Sequence, residues 1–257
     1  MDLVHYKVNN RVAYITLNRP EKRNALNSEV VILLKESFHN AISDDLVKAI
    51  VLKANGEVFS AGADLAYLQQ LQTNSYEDNV ADSTSLKDLF YAVYTSPKVV
   101  VAQVEGHAIA GGCGLVSVCD IVFSVPEAKF GYTEVKIGFI PALVACFLVR
   151  KTGEARTKEL LLSGDLINAK TASDYGLINF ISERTAIAEE VNQYAEKLVS
   201  KTSGESVSLT KRLINLAQNS TLEESLEQAV QFNATARASQ DCKRGIAAFL
   251  NKEKLDW

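Results

Sequence analysis

Histidine is scarce in this 257-residue chain, with three in all, and its four cysteines form no C-x-x-C pair. A zinc centre draws on His and Cys at short spacings, so no metal site is expected. Cys113, Cys119, Cys146 and Cys242 read as small buried apolar residues in a reducing compartment. Four prolines are too few for long disordered linkers. No apolar stretch reaches the ~18 residues of a membrane span. The opening "MDLVHYKVNN" lacks the basic-then-apolar layout of a secretory signal. The expectation is a cytoplasmic protein. Basic runs never exceed two residues and the net charge is -4, which argues against non-specific nucleic-acid binding. "RPEKR", Arg19 to Arg23, is the densest basic cluster of the first half, either a solvated turn or a local anion contact.

What the chain does have is apolar content, 47% of its residues, enough for one large core. "RVAYITL" (11–17) alternates as a strand with one wet face should, while "KAIVLKA" and "VVVAQV" are continuously apolar, as strands covered on both faces are. "DIVFSV" (120–125) is a further strand. "NSEVVILLKESFHNAI" predicts a helix capped by Asn27 or Ser28, with Val31, Leu34, Phe38 and Ile42 on one stripe. "ARTKELLLSG" predicts another, stopped by Gly164. Strands and helices interleave to about residue 185, which argues for α/β layering. From Ala186 to Lys254 only helices are expected, broken at "KTSGES" and "QNST".

"AIAGGCGL" (108–115) places three glycines within four positions. Glycine costs conformational entropy and buries no side chain, so it needs a reason. Dinucleotide binding is one, but Ser117 occupies the third glycine position of that fingerprint. Close packing against the helix is a second. The third is an oxyanion site, in which unpaired N–H groups at a helix N-terminus stabilise negative charge and glycine admits a substrate atom. A second donor would come from "FSAGADL" (59–65), another small-residue turn after a buried strand.

Those segments, together with "NRPEKRNALN", "VEGHAIAGGCGLVSVCDIVFS", "AKFGYTEVKIGFIP", "LLLSGDLINAKTASDYGLI" and "DCKRGIAAFLNK", resemble in order and spacing the enoyl-CoA hydratase/isomerase (crotonase) superfamily over nearly the whole length. The resemblance implies an α/β fold, a spiral of β-β-α turns over residues 1–195 that binds acyl-CoA. It implies a C-terminal helical oligomerisation segment, 196–257, assembling homotrimers or homohexamers. It also implies that the amides of Ala63 and Gly111 form an oxyanion hole for a thioester carbonyl. Lys22, Arg23 and Ala25 would lie along the pyrophosphate and adenosine of CoA. Ala61, Ala63, Asp64 and Leu65 would contact its pantetheine arm and adenine, and Phe249 and Lys252 would reach the CoA of a neighbouring subunit. No tightly bound cofactor is expected; coenzyme A arrives as part of the substrate.

Hydratases of that superfamily typically carry two glutamates. Here "FGYTEVKIG" places Glu134 at the second position, and Gly114 stands at the first. One carboxylate can remove a proton and return it elsewhere, so Glu134 is expected to be the acid–base group of an enoyl-CoA isomerase. Alternatives are hydration of a 2-enoyl-CoA, possible if another carboxylate such as Glu105, Asp120 or Glu127 serves, and a catalytically silent CoA-ester-binding protein. Gly114 and the apolar "IPALVACFL" are expected to enlarge or alter the acyl pocket, admitting a branched group, and His107 is read as structural.

Overall fold

The computed structural model describes residues 2–257. β1 (Val4–Asn9) and β2 (Val12–Leu17) pair antiparallel through Asn10 and Arg11, both at positive φ, as a two-residue hairpin turn requires. α1 (Ser28–Ser43) leads to β3 (Ala49–Ala54) and β4 (Val58–Ser60), then to α2 (Leu65–Leu71) and α3 (Tyr76–Thr95). β5 (Val99–Val104) and β6 (His107–Ile109) run into α4 (Gly111–Val118). β7 (Ile121–Ser124) and β8 (Lys129–Gly131) precede α5 (Ala142–Thr152) and α6 (Glu154–Ser163). β9 (Ile167–Asn168), α7 (Ala169–Asp174) and β10 (Phe180–Ile181) follow, then α8 (Ile187–Lys201), α9 (Gly204–Ala217), α10 (Leu222–Ala238) and α11 (Gln240–Asn251).

After the β1–β2 hairpin, which lies wholly in the larger sheet, successive turns of the chain each give one strand to each of two sheets, which is the expected spiral. The larger sheet runs β1-β2-β3-β5-β7-β10 and the smaller β4-β6-β8-β9. Beyond the opening hairpin the larger sheet is parallel. β3 and β5 are buried along most of their length, as their unbroken apolar runs predict. β2 departs from its expected wet face. Only Tyr14 is half-buried, because α1 and α8 both pack on this strand.

Asn27 caps α1, its side chain accepting from the Val30 amide at 3.0 Å, and Val31, Leu34 and Phe38 are buried, with Ile42 half-buried beside them. α6 ends on Gly164 at φ 68°, as expected. α8 carries Ile187, Val191, Ala195 and Val199 into the core at every fourth position, so the division expected at 195/196 falls inside a helix anchored to the sheet. The core itself brings together β2, β3, β5, β7, α1, α4 and α8. Among the described residues no helix is long and apolar enough to cross a membrane.

α9, α10 and α11 bury almost nothing within one chain. Leu222, Leu226 and Val230 follow one another along a face of α10 at 76%, 58% and 63% exposure. The cysteines are a partial correction. Cys113 and Cys119 are buried, Cys242 is half-buried and Cys146 is exposed on α5, where its position lies on the helix face away from the core.

Candidate active site

β4, β6 and β8 are neighbouring parallel strands, with Ser60 opposite Ala108 and Ala108 opposite Phe130. Counting forward from that shared row, Ala63 and Gly111 each lie three residues on, and Glu134 four. Adjacent strands are spaced by ~4.8 Å, so one sheet edge delivers all three groups to a common region at the carboxyl ends of its strands.

The Ala63 turn is built by pairing with Leu26. The Leu26 amide donates to the Gly62 carbonyl at 2.7 Å, and the Asp64 amide donates to the Leu26 carbonyl at 2.8 Å. Ala61 and Gly62 also spend their amides, on Arg23 O at 3.0 Å and on Ser60 Oγ at 3.3 Å. The Ala63 amide has no acceptor among the described residues. Peptide planarity sets its N–H opposite to the Gly62 carbonyl, so it points away from Leu26. Ala63 itself is exposed.

The Gly111 amide is likewise without an acceptor among the described residues, because it opens α4 and the first amides of a helix have no partner within it. Ala110 precedes it at φ 50°, a conformation costing a non-glycine residue roughly 1–3 kcal/mol. The Ala110 amide holds to Gly131 O at 2.8 Å, which joins the start of α4 to the strand leading to Glu134. The two turns touch. Gly62 has φ +89°, and a Cβ there would lie 2.7 Å from Ala110 Cβ and 3.5 Å from Gly111 N. Two turns that each carry an amide without an acceptor are thus packed against one another; paired amides of this kind are suited to a developing negative oxygen.

Glu134 begins a short 3-10 turn after β8 and is partly buried. Its Oε2 is buried without a hydrogen-bond partner, a condition shared among the described residues only by Asn79 Oδ1, which has no acid–base chemistry. Desolvation raises the Glu134 pKa against the opposing effect of a hydrogen bond from its own amide. A carboxylate stripped of partners is a stronger base than an exposed one. Nearby Cys113 is no competitor as a nucleophile, since burial pushes its thiol up to about 12. Tyr132, fully buried, donates to Cys113 O at 3.4 Å and ties the end of β8 to α4.

Residues 7–257 match the sequence model of the family described as enoyl-CoA hydratase/isomerase. The chain belongs to the enoyl-CoA hydratase/isomerase family. A protein of Thermus thermophilus is 44% identical over 241 residues, 94% of this chain and 95% of that one. A crotonyl-CoA hydratase of Syntrophomonas wolfei is 32% identical, covering 96% of this chain and 94% of its own. The solved structure of an enoyl-CoA hydratase from Mycobacterium smegmatis superposes with TM-score 0.94 at 28% identity, over 100% of this chain and 99% of that one.

Within this enoyl-CoA hydratase/isomerase chain the other expected site residues divide. Lys22 and Arg23 are exposed and carry no acid partner among the described residues, leaving both cations available to phosphates. Ala25 is buried, so only its backbone can serve a ligand, and its carbonyl already accepts from Arg19 at 3.3 Å. Ala61 is half-buried in the turn, and Leu65 is 76% exposed at the start of α2. Asp64 is occupied: Arg19 Nη1 pairs with its Oδ2 at 2.6 Å, and its Oδ1 caps α2 through the Ala66 amide. Phe249, 84% exposed, and Lys252 sit on or beside α11, which packs on α9 and α10.

Gly114 is a correction. Its α-face is not open: a Cβ there would lie 2.6 Å from Val144 Cγ1 and 2.9 Å from Phe90 Cζ. Phe90, fully buried on α3, is itself braced edge-on by Phe147 of α5, with ring centroids 6.3 Å apart. The missing side chain therefore brings α3, α4 and α5 together and does not enlarge a pocket. Gly112 is also a packing residue, since a Cβ on it would lie 2.6 Å from Ser60 O, whereas a Cβ on Gly111 would meet only Leu26 Cδ1 at 3.4 Å. Packing thus accounts for Gly112 and Gly114, and leaves Gly111 as the glycine of the run with an unpaired amide.

None of the alternative carboxylates is free at this edge. Asp120 pairs with Lys211 at 2.6 Å and with the Val100 amide beyond the opposite end of α4. Glu105 accepts from Gln103, and Glu127 faces Arg184 at 3.6 Å. His107 accepts from the Lys129 amide at 3.2 Å, a strand-to-strand contact in keeping with its structural reading. Asn24, Leu26 and Phe90 are site-shaping residues that the sequence does not single out, whereas Arg19 appears there only within a basic cluster and Val144 only within the apolar segment 140–148.

Proposed function

We propose that this protein is an enoyl-CoA isomerase that shifts a double bond through a thioester enolate, with Glu134 as its one acid–base group. The observation that carries the reading is the pairing of a buried, partnerless Glu134 carboxylate oxygen with a hydrocarbon-filled surface at Gly114. Glu134 removes a proton from C2 of a 3-enoyl thioester, and the electrons move onto the carbonyl oxygen, held by the Ala63 and Gly111 amides. The resulting dienolate takes the proton back at C4. The double bond then lies between C2 and C3, the carbonyl is restored, and Glu134 is again a carboxylate. Each oxyanion donor contributes roughly 3–4 kcal/mol to such a barrier.

Lys22 and Arg23 hold the CoA phosphates, backbone groups from Ala25 and from Ala61 to Leu65 line its arm, and no tightly bound cofactor takes part. Catalysis belongs to the spiral. The exposed apolar face of α10 and the projecting Phe249 and Lys252 support assembly of a cytoplasmic homotrimer or homohexamer, with α11 meeting a neighbour's CoA.

A second reading, hydration of a 2-enoyl-CoA, is favoured by relatives named crotonyl-CoA hydratase and enoyl-CoA hydratase. It requires a water-activating group other than a residue at 114. Pure protein given 3-enoyl-CoA and 2-enoyl-CoA separately, followed by absorbance and mass, tests both. Conversion of the 3-enoyl ester without mass change is expected. A gain of one water as the dominant reaction overturns isomerisation in favour of hydration, and binding without α-proton exchange leaves only a silent CoA-ester-binding protein.

A further inference from the structure

Ala63 is exposed and lies between a positive-φ glycine and a helix, α2, that buries no residue. Its Tyr67, Leu68 and Leu71 are only half-buried, so hydrophobic packing holds the end of the turn weakly, and Tyr67 adds one hydrogen bond to Asp82 of α3. Asp64 is the N-cap residue at that junction, and it is held by charge. Arg19 Nη1 reaches Asp64 Oδ2 at 2.6 Å, with the two side chains only 16% and 13% exposed.

Arg19 is itself anchored. Its amide donates to Asn24 Oδ1 at 2.8 Å, and Nη1 also reaches Ala25 O at 3.3 Å. Asn24 is buried and donates to Asn55 O at 2.8 Å and Val58 O at 2.7 Å, while its own carbonyl accepts from Ser60 Oγ at 2.8 Å. An unbroken polar chain thus runs from the β3–β4 connection through Asn24 and Arg19 to Asp64. Burial opposes ionisation of Asp64, but the Arg19 bond and the two capped amides of α2 outweigh it, and its carboxyl is held below the usual range.

We propose that Arg19 and Asp64 are a positioning pair that fixes the direction of the Ala63 amide, and that the Asp64 carboxylate makes no contact with substrate. This rests on the reading of Ala63 as an oxyanion donor. The pair acts on the peptide next to the donor: with Asp64 released, α2 can swing, the Asp64–Leu26 bond loosens, and the Ala63 N–H loses its fixed angle. A small misalignment at a reacting centre costs about 100-fold in rate. The expected kinetic signature is therefore a loss in turnover with affinity kept.

Asp64→Asn keeps the shape and capping oxygen but removes the charge, and Arg19→Lys leaves the cap untouched. Two measurements separate this inference from the reading beneath it. Hydrogen–deuterium exchange of the peptide spanning 62–67 in the free protein should rise about 10-fold in both variants, whatever reaction the protein performs. With 3-enoyl-CoA, kcat should fall by about 10-fold or more while the Kd for saturated butyryl-CoA stays within about twofold. Unchanged exchange in both variants overturns the clamp. So does a weakened Kd with kcat preserved, which makes Asp64 a substrate contact. Faster exchange in a protein whose wild type converts no enoyl-CoA sustains the clamp and sinks the isomerase.

Discussion

Gly114 and Val144 stand so close that a Cβ on the glycine would fall 2.6 Å from Cγ1 of the valine, with Phe90 closing the other side at 2.9 Å. In an ordinary helix interior, replacing glycine by alanine gains about 1 kcal/mol. Here the sign reverses. Gly114→Ala is expected to lose about 1–3 kcal/mol to overpacking, read as a lower urea midpoint at unchanged slope. Gly114→Glu should lose more and gain no hydratase activity. A more stable alanine variant would show that the three helices do not meet at this point.

Glu134→Gln should lower turnover of 3-enoyl-CoA about 10²- to 10⁴-fold, the range supplied by one general base. Because burial raises its pKa, the acid limb of kcat/KM lies above the ordinary glutamate value of 4.5. Activity falls as pH drops through that raised value. Stability moves the other way. Below the unfolded value both states hold the proton and the buried group costs nothing; as pH rises through the folded value the ionised carboxylate costs native stability. The glutamine variant should therefore melt higher than wild type at pH 7 and at about the same temperature near pH 4. Equal melting at both values would place the carboxylate in water.

Gly62→Ala puts a methyl group 2.7 Å from Ala110 Cβ on a residue at φ +89°. The expected outcome is a loss of about 10²-fold in kcat as the Ala63 and Gly111 amides are pushed apart. Parallel calorimetry with butyryl-CoA checks that ester binding survives. A variant with full turnover would remove these two amides from the mechanism.

The apolar row Leu222, Leu226 and Val230 on α10 predicts burial between subunits. Wild type is expected to sediment as an oligomer, and the variant combining Leu226→Glu with Val230→Glu as a monomer, in sedimentation velocity. An unchanged sedimentation coefficient would assign that row to no interface.

Several parts of this molecule were readable residue by residue. The Asn27 cap, the stripe from Val31 to Ile42, the Gly164 stop and the unbroken apolar strands each express a requirement satisfied within a few residues. The turns carrying Ala63 and Gly111 were readable for the same reason, since a free amide beside a close approach needs small residues in its own segment. α3 was not, because its first three turns are largely exposed and only Leu89, Phe90 and Val93 near its end are buried, which leaves too short an apolar period to recognise.

Linear order was enough to name two small-residue turns and one glutamate after a strand, and the family resemblance added a glycine where hydratases carry a second acid. It could not say what faces that glycine, because Phe90 and Val144 come from helices on either side of it in sequence and meet only when the spiral closes. Nor could it tell that Asp64 is spent on Arg19, since an ion pair is decided by distance in space and leaves no periodicity behind. Local conformational demands are written into neighbouring residues; steric exclusion and charge pairing across the fold arise only once the strands have brought remote segments into contact.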